Sequence, residues 1–259
     1  MPGELTTNRY WDSTYDSREQ LMPVSLDGYR SYCSKRIYEK KELYLSAASS
    51  VLELGGGGSR WLAYFAKEFP EKDFCALDYS EFGCSMLESF AKHEKLNNLS
   101  VECGDFFCFD FAGKKFDLVY SHGVVEHFED LAGVLQAHSG YLNTSGVMVT
   151  VIPNMAGILG SLTKKLNRKV YDIHIPHDLK SFQEGHYQAG LDIIESGYLC
   201  SSNFGVLSSC FQSRQGMAYR TYVQLTRVSK ALWWFEDKFF ALPKSKWFSP
   251  YIFSISKRK

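Results

Sequence analysis

The 259-residue chain reads as an α/β protein: a seven-stranded, mostly parallel sheet with helices on both faces. Three observations predict it. From residue 51 onward, short apolar runs alternate with helix-length stretches, at the interval expected when helices join parallel strands. Val51-Leu52-Glu53-Leu54 runs straight into four glycines, Gly55 to Gly58, and then into Arg60-Trp61-Leu62-Ala63-Tyr64-Phe65-Ala66, which has the composition of a helix packing back on a sheet. The closing segment Tyr251-Ile252-Phe253-Ser254-Ile255-Ser256 alternates apolar and polar residues, as a last antiparallel strand would.

Taken in order, residues 1–50 form a polar and aromatic helical cap, with Tyr10-Trp11-Asp12 and Tyr15 near its start and a helix over about 26–47. Strands are expected near 51–54, 74–78, 99–102, 116–121 and 147–152, which makes 51–154 the core of the sheet. Residues 155–186 go beyond the minimal fold and read as a lid inserted after strand five, at the crevice mouth where long connections tend to carry function. Gln188 to Ile194 fits a helix before a sixth strand near 198–207. Residues 187–259 complete the sheet and carry an aromatic helix, Leu232 to Leu242. In that helix Leu232, Phe235, Phe239 and Leu242 form the stripe expected to face the sheet, with Trp233, Trp234 and Phe240 left over. All of this makes one domain, 1–259.

Composition narrows the function classes. The 29 basic and 29 acidic residues leave no net charge, so no global field gathers nucleic acid. The seven cysteines are scattered without a C-x-x-C pair and suit small buried side chains in a reducing cytosol. Neither a secretory leader nor a run of about 18 apolar residues occurs, so a cytoplasmic protein is expected. The aromatic segment 231–248, which includes Lys244, Lys246 and Trp247, leaves open a peripheral contact at the inner membrane face or a homodimer contact beside the plainer reading of a core helix.

The glycine turn carries the chemistry. A strand, a glycine turn and a helix N-terminus together make a pocket for a nucleotide-type cofactor. A dinucleotide fingerprint needs a third glycine where this chain has Arg60, and Glu53 beside the turn would repel a pyrophosphate. A cofactor with a cationic sulfonium and an ammonium is attracted by that carboxylate, so the loop favours S-adenosylmethionine over NAD. Here the chain resembles the Rossmann-like, seven-strand (class I) S-adenosylmethionine-dependent methyltransferases, in their small-molecule and glycan branch. The likeness rests on Val51 to Ser59, on Ala76-Leu77-Asp78-Tyr79-Ser80, on Val101-Glu102-Cys103-Gly104-Asp105-Phe106 and on Phe116 to Phe128, four motifs in family order. It implies that Glu53, Gly55, Gly56 and Gly57 hold the methionyl end. It implies that Asp78 with Tyr79 holds the ribose, and that Gly104, Asp105 and Phe106 hold the adenine. The resemblance also implies that Ser121 and His122 fall beside the donor methyl and that the leader Tyr10-Trp11-Asp12 folds over the cofactor. Arg30 is a weaker candidate for the methionyl carboxylate.

Methyl transfer to a hydroxyl needs positioning and a base, and histidine suits the base's task. His122, at the end of strand four, ranks first; His174 and His177 in the lid follow, and His127 is expected to be structural. Tyr120-Ser121-His122-Gly123 replaces the Asn/Asp-Pro-Pro-Tyr motif of enzymes that methylate base or amide nitrogens, which favours an oxygen acceptor. No metal is expected, since the His174, His177, Asp178 grouping lacks a carboxylate cluster. The expected activity is methylation of a small-molecule or glycan hydroxyl, in natural-product or surface-polysaccharide biosynthesis. The alternatives are a quinone or lipid methyltransferase at a membrane surface, or a non-catalytic cofactor-binding partner protein.

Overall fold

The computed structural model describes residues 3–14, 20–211 and 213–259; Tyr15 of the aromatic leader lies outside them. The described elements are helix α1 (Asn8–Thr14), a 3-10 turn (Tyr29–Ser31) leading into α2 (Tyr32–Ala47), β1 (Ser50–Leu54), α3 (Arg60–Glu68), β2 (Asp73–Asp78), α4 (Glu81–Glu94) and β3 (Leu99–Cys103). Then come β4 (Phe116–His122), α5 (Leu131–Ser139), β5 (Leu142–Pro153), α6 (Ile158–Leu166), α7 (Arg168–Asp172), α8 (Leu179–Gln188), β6 (Leu191–Leu199), α9 (Gly216–Lys238) and β7 (Tyr251–Arg258). The sheet order is β3-β2-β1-β4-β5-β7-β6. Neighbours from β3 to β5 are parallel, and β7 runs antiparallel to both β5 and β6.

This order reverses direction between β1 and β4, whose C-terminal ends pair Leu54 with Ser121. Such a switch point opens a crevice above the strand ends, because the chains leave it toward opposite sides. Side chains on the two sheet faces feed two cores. On one, Val51, Ala76, Leu118, Tyr120 and Phe253 pack against α2, α3, α4 and Trp233 of α9. On the other, Leu52, Leu54, Leu77, Val119 and Ile252 pack against α5, Phe182 of α8 and the ring pair Phe106 and Phe128. Helix starts at the crevice are fixed by serine caps: Ser59 Oγ accepts from Leu62 N (3.0 Å), and Ser80 Oγ accepts from Gly83 N (3.0 Å).

Several elements differ from expectation. The sixth strand is Leu191–Leu199, not 198–207, and 188–194 is not a helix. Helix α8 ends at Gln188, and Gly190 at φ +77° turns the chain into the strand. A bulge between Ile193 and Glu195 breaks the alternation that would have marked it. The aromatic helix is the end of the longer α9, and its buried stripe is Ser229, Trp233 and Glu236, with Trp233 Nε1 donating to Ser202 O (2.8 Å). The expected stripe fails because the helix stops at Lys238, leaving Phe239 and Phe240 on its exposed exit. Finally, α8 buries Phe182 and His186 and packs on α5 as a crossover helix, so the insertion proper spans 155–178. Of the cysteines, five are buried, while Cys103 and Cys108 are exposed. No helix among the described residues is long and apolar enough to cross a membrane.

Candidate active site

The glycine turn is wedged between two strand ends. Gly55 sits at φ +72°, and a Cβ there would collide with the Val124 side chain after β4. Gly57 N donates to Asp78 Oδ2 (2.8 Å), and its own added Cβ would lie 2.9 Å from Asp78 Cγ. The other Asp78 oxygen accepts from Ser80 N (2.8 Å). One buried carboxylate at the end of β2 thus ties the turn to the start of α4. Burial pushes its pKa up, and the backbone donors pull it back down.

Glu53 braces the turn from beneath. Its carboxylate accepts from Ser59 Oγ in a short contact and from Tyr120 Oη (2.6 Å). The buried Lys41 ammonium lies 3.7 Å from the Tyr120 ring centroid and 4.5 Å from that of Trp61. Burial raises the Glu53 carboxyl and lowers the Lys41 ammonium, while each charge favours ionisation of the other.

Two cavities meet at Gly55 and His122. The first, about 210 Å³, is lined by Gly55, Asp78, Tyr79, Phe106, His122 to Val124, His127 and Phe128, and from the N-terminus by Glu4, Thr6 and Trp11. The second, about 380 Å³ and more open, is lined by Arg30, Cys33, Glu53, Gly55, Ser59, His122, Asn203, Trp233 and Tyr251 among others. The N-terminal segment is strapped across the first cavity. Tyr79 Oη donates to Glu4 Oε1 (2.6 Å), Asn8 Nδ2 donates to Tyr79 O (3.2 Å), and Ser80 Oγ donates to Asp12 Oδ1 (2.6 Å). Leu5 N donates to His127 O (2.9 Å), and the Trp11 ring stands edge-on to His127 at 5.1 Å.

Of the residues expected to hold the cofactor, Trp11, Gly55, Asp78, Tyr79, Phe106 and His122 line the first cavity, while Glu53 faces the second. Tyr10 packs edge-on against Trp11 (5.2 Å) one layer out. Gly56, Gly57 and Gly104 line neither cavity; Gly104 N donates to Asp78 O (2.8 Å). Asp105 Oδ1 caps its own loop through Phe107 N (2.8 Å). Ser121 is buried in β4, its hydroxyl without a hydrogen-bond partner. Asp12, expected to close over the cofactor with Tyr10 and Trp11, accepts from Ser80 Oγ. Glu4 and Thr6 were not singled out, since polar residues ahead of a helix carry no signal of what they will fasten to.

The histidines divide. His122 lines both cavities; burial, helped by Lys41, lowers its pKa to about 3, so the ring is neutral at physiological pH. His127 lines the first cavity, with burial lowering its pKa to about 3, and its ring packs 4.5 Å from that of His174. His174 and His177 line neither cavity; both are lowered by burial. Beside His127 lies Glu126, which the fourth motif spans without giving it a role. It is 1 % exposed, both its oxygens lack hydrogen-bond partners, and burial raises it to about 8.

A parallel sheet with its switch point at a glycine turn, an acid at the end of β2 and a walled cavity above defines an α/β protein that binds a nucleotide-type cofactor. Sequence comparison takes the next step: the profile of a methyltransferase domain matches residues 45–193, more than half of the chain, and the chain belongs to that family. No curated protein matches it by sequence. Solved structures show the same fold. One is a Galdieria sulphuraria protein described as a candidate sarcosine dimethylglycine methyltransferase: 15% identity over 97% of this chain and 98% of that one, TM-score 0.60. Another is the plantazolicin methyltransferase BpumL in complex with SAH: 20% identity over 97% and 90%, TM-score 0.57. A third is PKMT2 from Rickettsia typhi in complex with AdoHcy: 15% identity over 88% of this chain, TM-score 0.53. The chain spans about half of that last protein's length, 53%.

Proposed function

We propose that the chain methylates a hydroxyl of a small-molecule or glycan acceptor, with S-adenosylmethionine as donor. The observation that carries this reading is the junction of the two cavities at Gly55 and His122. The first cavity alone is smaller than the roughly 300 Å³ at which small-molecule sites begin, whereas the pair accommodates two halves of an elongated ligand plus a partner. The residues present suit the cofactor. Asp78 is held by two backbone donors with lone pairs to spare for ribose hydroxyls, and Phe106 offers a face to the adenine. Glu53 and Arg30 stand in the second cavity as complements to an ammonium and a carboxylate. When bound, that cofactor supplies a methyl group already activated on a sulfonium.

The acceptor lies on the β4–β5–β7 side, in the second cavity among Asn203, Trp233 and Tyr251. His122, unprotonated at physiological pH, accepts the proton of the acceptor's hydroxyl. Its low basicity suffices, because an alcohol oxygen that has gained a methyl while still protonated is a strong acid. The N-terminal strap and Trp11 exclude water from the first cavity. The test is release of S-adenosylhomocysteine across a panel of hydroxylated small molecules and glycans. His122→Ala should lower turnover by about 10²-fold or more at nearly unchanged cofactor affinity. An equally active variant removes the histidine from this role.

A quinone or lipid acceptor at a membrane surface is a second reading. It draws on exposed Trp234, Phe239, Phe240, Trp247 and Phe248, with Lys246 Nζ 5.0 Å from the Trp247 ring.

A further inference from the structure

Glu126, His127 and His174 come together where the insertion meets the loop after β4. A carboxylate oxygen or ring nitrogen from each lies within 4.8 Å of the others. The backbone already joins the two segments here, Ile175 N donating to Glu126 O (2.7 Å). The side chains themselves share no hydrogen bond. Nδ1 of His127 lies 2.6 Å from Ile173 O, and Nδ1 of His174 lies 2.6 Å from Val170 O. A carbonyl oxygen can only accept, so both rings carry their proton on Nδ1 and leave Nε2 as a lone pair. The Glu126 carboxylate is buried with neither oxygen hydrogen-bonded, and His127 Nε2 is 3.9 Å from Oε1, too far for a hydrogen bond. Three potential ligands thus lie together with no hydrogen bond joining them.

We propose that these three side chains form a divalent metal site of the zinc type. Two imidazoles and one carboxylate are a ligand set that zinc takes, with a fourth position left for water or another oxygen. The carbonyls on the two Nδ1 atoms are the outer partners that fix tautomer and ring direction in such sites. Zinc–ligand distances of about 2.0–2.2 Å need the three side chains to draw in by about an ångström, within reach of rotamer adjustment. The metal would clamp the insertion onto the loop that walls the first cavity through His127. This goes beyond the methyl-transfer reading and does not depend on it.

The test uses the full chain, stripped with a chelator and titrated with zinc chloride by calorimetry, with metal content after gel filtration read by mass spectrometry. The expected result is one zinc per chain and a rise in thermal midpoint. In His174→Ala and Glu126→Gln the affinity should fall by about 10- to 100-fold or more. Circular dichroism at room temperature confirms that both variants fold. Cobalt(II) substitution should give the intense visible bands of four-coordinate cobalt, lost in His174→Ala. The proposal is overturned if the native chain binds no zinc. It is equally overturned if folded His174→Ala and Glu126→Gln bind as the native chain does, or if binding is lost only when the exposed Cys103 and Cys108 are replaced by serine.

Discussion

Replacing Asp78 by asparagine separates a structural from a cofactor-binding duty within one carboxylate. In the native chain its two oxygens accept from Gly57 N and Ser80 N, each at 2.8 Å, while the side chain lines the first cavity. Asparagine has one acceptor oxygen, and its NH₂ must face one of those backbone N–H groups. A buried donor left unpaired costs about 1–3 kcal/mol, part of which is offset because a charge no longer has to be buried. The thermal midpoint should therefore drop only modestly. The ligand loses more: hydrogen bonds to a charged acceptor are each worth about 1.5–3 kcal/mol, and losing one translates to about 10- to 150-fold in affinity. Calorimetric titration with S-adenosylhomocysteine reads this directly. Gly57→Ala should move affinity in the same direction, since its Cβ would come within 2.9 Å of the same carboxyl carbon. If Asp78→Asn stays folded and binds within about threefold of the native chain, Asp78 does not hold the ribose and the reasoning fails.

Other expectations follow from the same geometry. Gly55→Ala combines a left-handed backbone with a collision against Val124 and should destabilise by about 2–4 kcal/mol in chemical denaturation; a change under about 0.5 kcal/mol contradicts the wedge. Burial lowers His138 to about 3 and His186 to about 4, both below their unfolded value of 6.5. Their contribution is complete above pH 6.5 and is lost as pH falls toward those folded values, at about 1.4 kcal/mol per pH unit for each. Stability measured from pH 7 to 5 should fall, and should fall less steeply in a folded His138→Gln variant. Trp233→Ala should cost about 3–5 kcal/mol, while Trp234→Ala, half-exposed, should change stability by less than about 1 kcal/mol. If vesicle co-sedimentation occurs and depends on Trp234, the membrane reading gains; none at low salt counts against it.

The fold around the glycine turn was legible because its signals are local. The strand–glycine–helix unit and the acid ending β2 each announce themselves within a few residues, whereas Asp105 lines neither cavity and caps its own loop. β6 was misplaced because its bulge and half-exposed face, with Ile194 exposed, erase the period of two that identifies a strand. Gly190 just past the end of α8 was the available clue. β5 begins at Leu142, five residues earlier than expected, since the polar Asn143 to Ser145 stretch beside the register shift looks like a turn. The α9 stripe was hidden by Glu236, a carboxylate buried against Tyr32, Ser201 and Leu242 N. No hydrophobic pattern points to a buried acid. Glu126 was missed for the same reason: its relation to His174 spans 48 residues and exists only once the insertion folds back.

The central claim is that the four-glycine turn serves S-adenosylmethionine and not a dinucleotide. Titration of the native chain with S-adenosylhomocysteine and, separately, with NAD tests it most directly. Saturable binding of S-adenosylhomocysteine at one site per chain, with no heat from NAD, is the predicted result. Binding of NAD, or of neither, would contradict it.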